Sequence, residues 1–283
     1  MNRRELLSGV GAAAGAMNVL SPPVQAQSKV TKICRFKKGA LIAHGIVDGD
    51  TVRQLKGDLF ADPREVAAKH KLSEVKLLHP VAAPSKILAL AGNYRSHLGA
   101  APPRPNPEPF YKPPSCLQNP EDPIVIPPGA TNVHYECEMV IVIGKTARQV
   151  TEAQAKDHIF GVTCGNDVSE RIWQNDPKIK DVQWWRAKGA DTFGPVGPVI
   201  ACGIDYANLR IMTRLNGKIM QDENTSHLVH GCEKIVSFIS QATTLFPGDL
   251  IFTGTGGTTS AMKPGDTVEV EIEGIGILRN KVV

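Results

Sequence analysis

This 283-residue sequence has no long apolar segment, no closely spaced pair of cysteines and no large excess of positive or negative charge. No apolar run reaches the ~20 residues that a membrane-spanning helix needs. The net charge is only +4, and Lys37-Lys38 is the one adjacent basic pair beyond the N-terminus. These absences argue against a membrane-spanning or nucleic-acid-binding protein, and small acidic molecules remain candidate ligands.

The N-terminus has the pattern of an export signal. Arg3-Arg4 precedes a stretch rich in small apolar residues from Leu6 to Leu20, and Val24-Gln25-Ala26 offers a cleavage site before Gln27. Residues 1–26 are therefore predicted to be a twin-arginine-type signal peptide, and the mature protein is expected in the periplasm with no membrane span. A disordered tail that happens to begin with two arginines is the alternative.

The six cysteines are dispersed, and no Cys-x-x-Cys pair indicates a zinc or redox site. An oxidising compartment would permit disulfides. Because the spacing shows no disulfide framework and several cysteines lie in apolar stretches, we expect buried free thiols.

The pattern of turns and short apolar segments predicts a small N-terminal domain over residues 30–80 and a larger domain over 84–283. In the first, strands are predicted at Leu41–Val47 and Thr51–Leu55, and Asp62-Pro63-Arg64-Glu65 is typical of a helix start. In the second, the run of prolines predicts an irregular loop over 99–115.

Later elements are predicted to be mostly strands. Asn216-Gly217 indicates a hairpin turn. A capping box at Thr151 predicts a helix to about Phe160, and the apolar periodicity predicts another from Glu233 to Gln241.

The most informative segment is Tyr135 to Gly144, which has the pattern of a buried strand. Glu136 and Glu138 share one face with valines, and the other face is also apolar, so neither face suits solvent. Two adjacent carboxylates turned towards an interior need a compensating cation. A divalent metal ion is the expected partner.

The segment Thr267 to Glu273 serves as an internal control. It also has Glu at every second position, but valine and isoleucine occupy the opposite face, as in a strand with one solvated side. Asp167, at the end of another apolar strand, is the best third ligand, although a strand-end Asp also commonly caps a turn. Three carboxylates without clustered His or Cys favour Mg²⁺ or Mn²⁺, with Ca²⁺ as a further candidate.

Two further residues are weaker candidates on local sequence alone. His97 follows a predicted strand where catalytic residues are common, but a lone histidine is more often structural. Lys188 has the local sequence of a surface lysine.

Taken in chain order, these motifs resemble the fumarylacetoacetate hydrolase superfamily. The matching motifs are Gly92-Asn93-Tyr94-x-x-His97, Glu136-x-Glu138, Asn166-Asp167-Val168-Ser169, Lys188-x-x-Asp191-x-Phe193-Gly194-Pro195, Asn216-Gly217, Thr253-Gly254-Thr255 and Pro264-Gly265-Asp266.

The resemblance implies an α+β, β-rich fold with a rolled mixed β-sheet and few short helices, usually assembled as a homodimer. It implies an enzyme that binds Mg²⁺ or Mn²⁺ through Glu136, Glu138 and Asp167. The substrate would be a 1,3-dicarbonyl or acylpyruvate-type oxo acid. His97 would activate water to break a carbon–carbon bond, with Lys188 as a second catalytic group and Arg95, Gln174 and Thr255 binding the substrate.

One departure leaves the reaction open. Many members have a glutamate three residues after the matching histidine, whereas this sequence has Ala100 and prolines that disfavour a lid helix. A lone His97 or a substitute partner, Glu108, would then support hydrolysis. The alternatives are isomerisation, decarboxylation or dehydration of a 2-oxo acid, or an exported protein that only binds an oxo acid.

Overall fold

The computed structural model describes residues 30–283. The predicted signal peptide, residues 1–26, lies outside the described residues. Within residues 30–283, no helix has both the length and the apolar composition needed to cross a membrane.

The described chain begins with a meander of antiparallel strands. Its elements are β1 (Thr31–Lys38), β2 (Leu41–Asp48), β3 (Thr51–Lys56), β4 (Arg64–Lys71), a 3₁₀ turn (Leu72–Glu74) and β5 (Lys76–Leu78), which pairs with β1.

The helix predicted to begin at Asp62 is wrong, because the segment forms strand β4. β4 pairs with β3, and Leu55 lies opposite Glu65. The Glu65 carboxylate binds Arg53 at 2.6 Å rather than capping a helix. Pairing with an available sheet edge thus overrides a local helix-start signal.

The remaining elements form the larger part of the fold. In chain order they are β6 (Ile87–Leu90), α1 (Arg95–Leu98), β7 (Pro109–Lys112), a 3₁₀ turn (Pro114–Cys116), β8 (Leu117–Gln118), β9 (Val133–His134), β10 (Cys137–Ile143), α2 (Glu152–Ala155), a 3₁₀ turn (Lys156–His158), β11 (Ile159–Asn166), β12 (Ser169–Glu170), α3 (Arg171–Asn175), α4 (Trp185–Gly189), β13 (Gly194–Cys202), β14 (Arg210–Leu215), β15 (Lys218–Asn224), a 3₁₀ turn (Thr225–His227), α5 (Cys232–Ala242), β16 (Leu250–Phe252), β17 (Thr267–Ile272) and β18 (Gly276–Lys281).

One large mixed sheet organises the described residues. Its main path is β4-β3-β2-β1-β13-β11-β10-β16-β6-β7, and pairing of β1 with β13 joins the leading strands to the rest. β15-β14-β17-β18 form a second sheet, and β9 with β12 a third. The β-rich fold class with few short helices is confirmed.

Strand β10 lies inside the large sheet and is buried along its whole length. Met139 and Ile141 pack into one hydrophobic cluster. Val140 and Val142 pack into a second cluster on the opposite face. The alternation predicted from sequence is therefore present, and both faces are covered by protein.

The segment 99–115 is only partly irregular, so that prediction is wrong at its C-terminal end. Pro109–Lys112 forms β7, which pairs antiparallel with β6 at the end of the sheet path. An edge strand tolerates proline, because only one side of it must donate hydrogen bonds. α1 is a single turn that ends at Leu98 and is followed by Gly99, whose φ is 59°.

Other local predictions agree with the structure. The capping box at Thr151 is present, although α2 is shorter than predicted and a strand has begun by Ile159. The Asn216-Gly217 turn joins β14 to β15, and α5 covers the predicted helix.

Candidate metal and substrate site

Antiparallel pairing of β10 with β11 brings the three predicted carboxylates together. Glu138 lies opposite Gly165, and just beyond the ladder the Asp167 amide donates to the Glu136 carbonyl at 3.0 Å. Glu136, Glu138 and Asp167 are all buried, and each offers an oxygen atom within 4.8 Å of the others. The register of one strand pair therefore builds the acidic cluster.

Each carboxylate has one oxygen tied to the surrounding protein. Arg171 donates to Glu136 Oε1 at 2.5 Å, and Lys112 donates to Asp167 Oδ1 at 2.6 Å. The Gly254 amide donates to Glu138 Oε2 at 2.6 Å. These three contacts fix how the carboxylates are turned.

The other oxygens define the centre of the cluster. Lys188 Nζ lies 2.6 Å from Glu136 Oε2 and 2.8 Å from Asp167 Oδ2. Glu138 Oε1 is buried and has no hydrogen-bond partner among residues 30–283. An unpaired buried carboxylate oxygen beside two other carboxylates is costly unless a cation binds there.

The protonation tendencies follow from these contacts. Burial alone would raise the pKa of Glu136, but Lys188 and Arg171 lower it well below the usual range. Burial, reinforced by Asp167 and Glu136, raises the pKa of Glu138 well above its ordinary value. In the protein without a metal ion, Glu138 is thus the carboxylate that lacks a counter-charge.

The cluster fits a hard divalent cation. All donors are carboxylate oxygens, the set that Mg²⁺, Mn²⁺ and Ca²⁺ prefer, and the described residues place no sulfur or imidazole ligand in the group. The orphaned Glu138 oxygen is the observation of this structure that supports the fit.

A cavity of about 110 Å³ lies against this cluster. Its wall includes Glu136, and the other lining residues are Leu90, Ala91, Gly92, His97, Phe110, Arg171, Gln174, Trp184, Lys188 and Thr255. The structure therefore brings His97, Lys188, Gln174 and Thr255 around one space, as the resemblance implies.

His97 is held in one orientation by backbone. Its Nδ1 lies 2.7 Å from the carbonyl oxygen of Gly257. A carbonyl only accepts, so Nδ1 carries the proton, and Nε2 keeps a lone pair. Nε2 has no hydrogen-bond partner among the described residues, so it is available to move a proton at the cavity wall.

Lys188 is buried, so its interpretation as a surface lysine is wrong. It lies on α4, which begins after Trp184, a residue with φ 54°. Its Nζ also lies 5.5 Å from the centre of the Phe110 ring, a cation–π distance.

Lys112 is a contributor that sequence reasoning missed. Its side chain is fully buried, and its ammonium donates to Asp167, to the carbonyl of Lys188 and to the carbonyl of Phe193 at 3.1 Å. Treating 99–115 as irregular hid it. The available signal was Phe110-x-Lys112, two side chains on one face of a strand.

The loop that follows β16 ties the parts of the site together. The Gly254 amide binds Glu138, the Gly257 carbonyl binds His97, and Thr259 Oγ1 accepts from Arg171 at 2.9 Å. The Asn93 amide, next to α1, donates to the Thr253 carbonyl at 2.7 Å. We call residues 253–260 the strap.

Three residues discussed from the sequence lie away from the cavity. Arg95 is exposed and is not part of the cavity wall, so its role in substrate binding stays a prediction. Ala100 is exposed beyond the end of α1. Glu108 binds Arg104 at 2.5 Å on the surface and does not line the cavity.

Comparison with known proteins places this architecture in a family. The model for "Fumarylacetoacetate (FAA) hydrolase C-terminal" matches residues 86–283, and "Rv2993c-like, N-terminal" matches residues 31–80. The chain belongs to the fumarylacetoacetate hydrolase family, as its motifs indicated.

Individual relatives carry several activities in their names. The chain is 38% identical over 223 residues to a bovine protein named oxaloacetate tautomerase FAHD2A, mitochondrial, covering 75% of this chain and 70% of the relative. A 2-hydroxyhepta-2,4-diene-1,7-dioate isomerase structure from Mycobacterium marinum is 39% identical with a TM-score of 0.81, covering 89% of this chain and 98% of its own.

A hydrolase is also among the similar structures. Maleylpyruvate hydrolase from Sphingobium sp. SYK-6, in complex with manganese(II) and pyruvate, is 30% identical with a TM-score of 0.74, covering 89% of this chain and 98% of its own. The family thus includes a tautomerase, an isomerase and a hydrolase, and a related structure contains Mn²⁺.

Proposed function

We propose that this protein is a divalent-metal-dependent enzyme that interconverts the keto and enol forms of a short 2-oxo acid. The observation that carries the proposal is the orientation of His97. Its Nδ1–H is held by the Gly257 carbonyl, and its unpaired Nε2 belongs to a residue of the same cavity wall as Lys188. A fixed base and a fixed cation on the wall of one cavity suit proton transfer next to a carbonyl group.

Glu136, Glu138 and Asp167 would hold Mg²⁺ or Mn²⁺. The ion, when bound, supplies a Lewis acid that lowers the cost of negative charge on a carbonyl oxygen. The orphaned Glu138 Oε1 and the Mn²⁺ present in the related hydrolase structure support this assignment.

The protein groups then have separate tasks. His97 Nε2 takes the proton from the carbon next to the 2-oxo group, and the C–H electron pair becomes the carbon–carbon double bond as charge moves to the oxygen. The Lys188 ammonium stabilises that charge, and Gln174 and Thr255 orient the acid through hydrogen bonds. Transfer of that proton from His97 Nε2 to the oxygen completes the enol and leaves the imidazole neutral, and the reverse sequence restores the ketone.

The size of the cavity favours a small substrate. A cavity of about 110 Å³ is small beside the ~300–1,000 Å³ typical of ligand pockets. A short oxo acid such as oxaloacetate, the substrate in the bovine relative's name, suits this space better than a long acyl chain.

The test is the rate of ketonisation of enol oxaloacetate, followed by its ultraviolet absorbance, with Mg²⁺-loaded protein and with protein stripped by chelator. We expect acceleration over buffer that depends on metal. His97→Ala should lower kcat by about 10²- to 10⁴-fold, the usual contribution of a general base. Glu108→Gln is the matched control, because Glu108 lies outside the cavity wall, and it should keep near wild-type activity. No acceleration by the wild type would contradict the proposal.

Hydrolysis of a carbon–carbon bond in an acylpyruvate is the second candidate. The related maleylpyruvate hydrolase favours it, and His97 Nε2 would then take a proton from water as the water oxygen attacks the carbonyl. The two reactions differ in product, since only hydrolysis releases pyruvate and a second acid. Oxo-acid binding without any turnover would support the binding-protein alternative.

A further inference from the structure

Two neighbouring side chains of helix α1, Ser96 and His97, hydrogen-bond the backbone of Gly257 in the strap, and we call this pair of contacts the grip. The His97 ring donates to the Gly257 carbonyl at 2.7 Å, and the Gly257 amide donates to Ser96 Oγ at 2.9 Å. Ser96 and His97 are neighbours in the chain, so two adjacent side chains fix both peptide groups of Gly257. With φ at +67°, Gly257 has a backbone conformation that glycine adopts without strain.

A carboxylate lies behind this grip. Ser96 also lies beside Glu223 on β15, where its hydroxyl contributes to lowering the pKa of that carboxylate, and since Ser96 Oγ already accepts from Gly257, its single proton is free to be donated. The other contacts of Glu223 hold it in place. Its Oε2 lies 3.0 Å from His227 Nδ1. Its side chain also packs closely against Gly256 of the strap, because a Cβ added at Gly256 would come within 2.6 Å of the Glu223 Cγ.

We propose that Glu223 and Ser96 are positioning residues that hold His97 in the tautomer protonated at Nδ1, acting through Gly257. The chain of contacts runs from the carboxylate to the serine hydroxyl, to the Gly257 peptide groups and to the imidazole. This inference rests on the proposed role of His97 as the proton-transfer group. Glu223 on β15 would then orient His97. In many family members a glutamate stands three residues after the matching histidine, where this chain has Ala100.

Glu108, which the sequence suggested as a partner for His97, does not orient the imidazole. Glu108 binds Arg104 on the surface, and Ala100 lies outside α1. The Gly257 carbonyl orients the imidazole of His97, and Glu223, acting through Ser96, holds the Gly257 backbone in place.

The test compares Ser96→Ala and Glu223→Gln with Asp222→Asn. Asp222 is the adjacent carboxylate on β15 and binds Arg210 on the surface, so its removal matches the lost charge without touching the grip. Two-bond ¹⁵N–¹H correlation spectra of histidine-labelled protein report the tautomer of His97 directly. In parallel, kcat and KM are measured for enol oxaloacetate.

We expect wild-type His97 to show the proton on Nδ1, and both grip variants to show a mixture of tautomers. Their kcat should fall by about fivefold, the equivalent of one neutral hydrogen bond, with little change in KM. Ser96→Thr, which keeps the hydroxyl, should restore both readouts, and Asp222→Asn should alter neither.

Unchanged His97 spectra and kcat in Ser96→Ala and Glu223→Gln would overturn the inference. If Glu223→Gln does not fold, Ser96→Ala decides alone, because Ser96 is exposed and its removal leaves no cavity. A wild type that shows the expected tautomer but no turnover would refute the proposed function, while the spectra of the variants would still decide this inference.

Discussion

The ammonium of Lys188 lies 2.6 Å from the carboxylate of Glu136, and both side chains are almost completely buried. Taking one partner from a buried ion pair leaves an uncompensated charge, which costs about 3–5 kcal/mol. Here the lost positive charge can be replaced, because the same carboxylates are the expected metal ligands.

Lys188→Met is therefore expected to destabilise the metal-free protein by about 3–5 kcal/mol and the Mn²⁺-loaded protein by clearly less. Chemical denaturation with chelator and with excess Mn²⁺ measures the difference. Lys234→Met is the control, because Lys234 binds Glu152 in an exposed pair at 3.0 Å. Its loss should cost at most about 1 kcal/mol in both conditions. Equal destabilisation of Lys188→Met with and without Mn²⁺ would contradict this account.

Metal binding should depend on the buried glutamate strand and not on the solvated one. Glu138→Ala removes the carboxylate whose Oε1 has no protein partner, and we expect Mn²⁺ affinity by calorimetry to fall by at least about 100-fold. Glu271→Ala removes an equally charged residue of β17 that instead binds Arg214, and it should bind Mn²⁺ like the wild type. Equal affinities in the two variants would exclude the proposed site.

The cysteines should be unreactive in the folded protein. All six are free, as predicted, and burial raises the pKa of Cys34 and of Cys202 to about 12. At pH 8 a thiol with that pKa is ionised to only about 10⁻⁴. Thiol titration should find almost no fast-reacting group in native protein and six after denaturation. A fast native thiol would show that one of these cysteines is accessible.

Acid should weaken the junction between the leading strands and the larger part of the fold. Near Pro80, His44 lies 3.1 Å from the Pro80 carbonyl and His79 lies 2.6 Å from the Val81 carbonyl. Burial lowers the pKa of both imidazoles. The folded state thus binds fewer protons than the unfolded state just below pH 6.5. The stability that the two neutral imidazoles contribute is therefore fully present above that pH and is lost as pH falls.

The measurement is the free energy of unfolding at pH 7.5 and pH 5. The double variant His44→Gln, His79→Gln should show a smaller loss on acidification than the wild type, whereas His158→Gln, which removes a half-buried histidine outside the Pro80 junction, should show the wild-type loss. Identical pH dependence in all three proteins would exclude His44 and His79 as the cause.

Export stays a prediction, since Arg3, Arg4 and the cleavage site lie outside the described residues. Mature protein from the native host should begin near Gln27 and occur in the periplasm. Replacing both arginines with lysine should leave the precursor in the cytoplasm, as cell fractionation with N-terminal sequencing would show. An intact Met1 on periplasmic protein would contradict cleavage.

The sequence was sufficient for the parts of the site that lie on strands. The alternation around Glu136 and Glu138 requires two covered faces, and the structure covers both. The same logic separated β17, where Val268, Val270 and Ile272 are buried and the glutamates remain partly exposed. A period of two is a local property, so it can be detected without knowing the fold.

Contacts between distant segments were beyond such reasoning. Lys112 and Asp167 are 55 residues apart, and Gly257 and His97 are 160 apart, so no local pattern links either pair. The segment 64–71 failed for the same reason, because pairing with β3 decides its conformation. The domain division and homodimer assembly stay predictions.

The strap has a consequence for mutagenesis. Within six residues, Gly254, Gly257 and Thr259 contact a proposed metal ligand, the proposed base and the guanidinium of Arg171. A backbone shift at any one of these positions displaces the other two, so effects measured here will not add. Metal affinity and turnover should then fall together in variants with one substitution in the strap. Double-mutant cycles are needed to separate the effect on metal affinity from the effect on turnover.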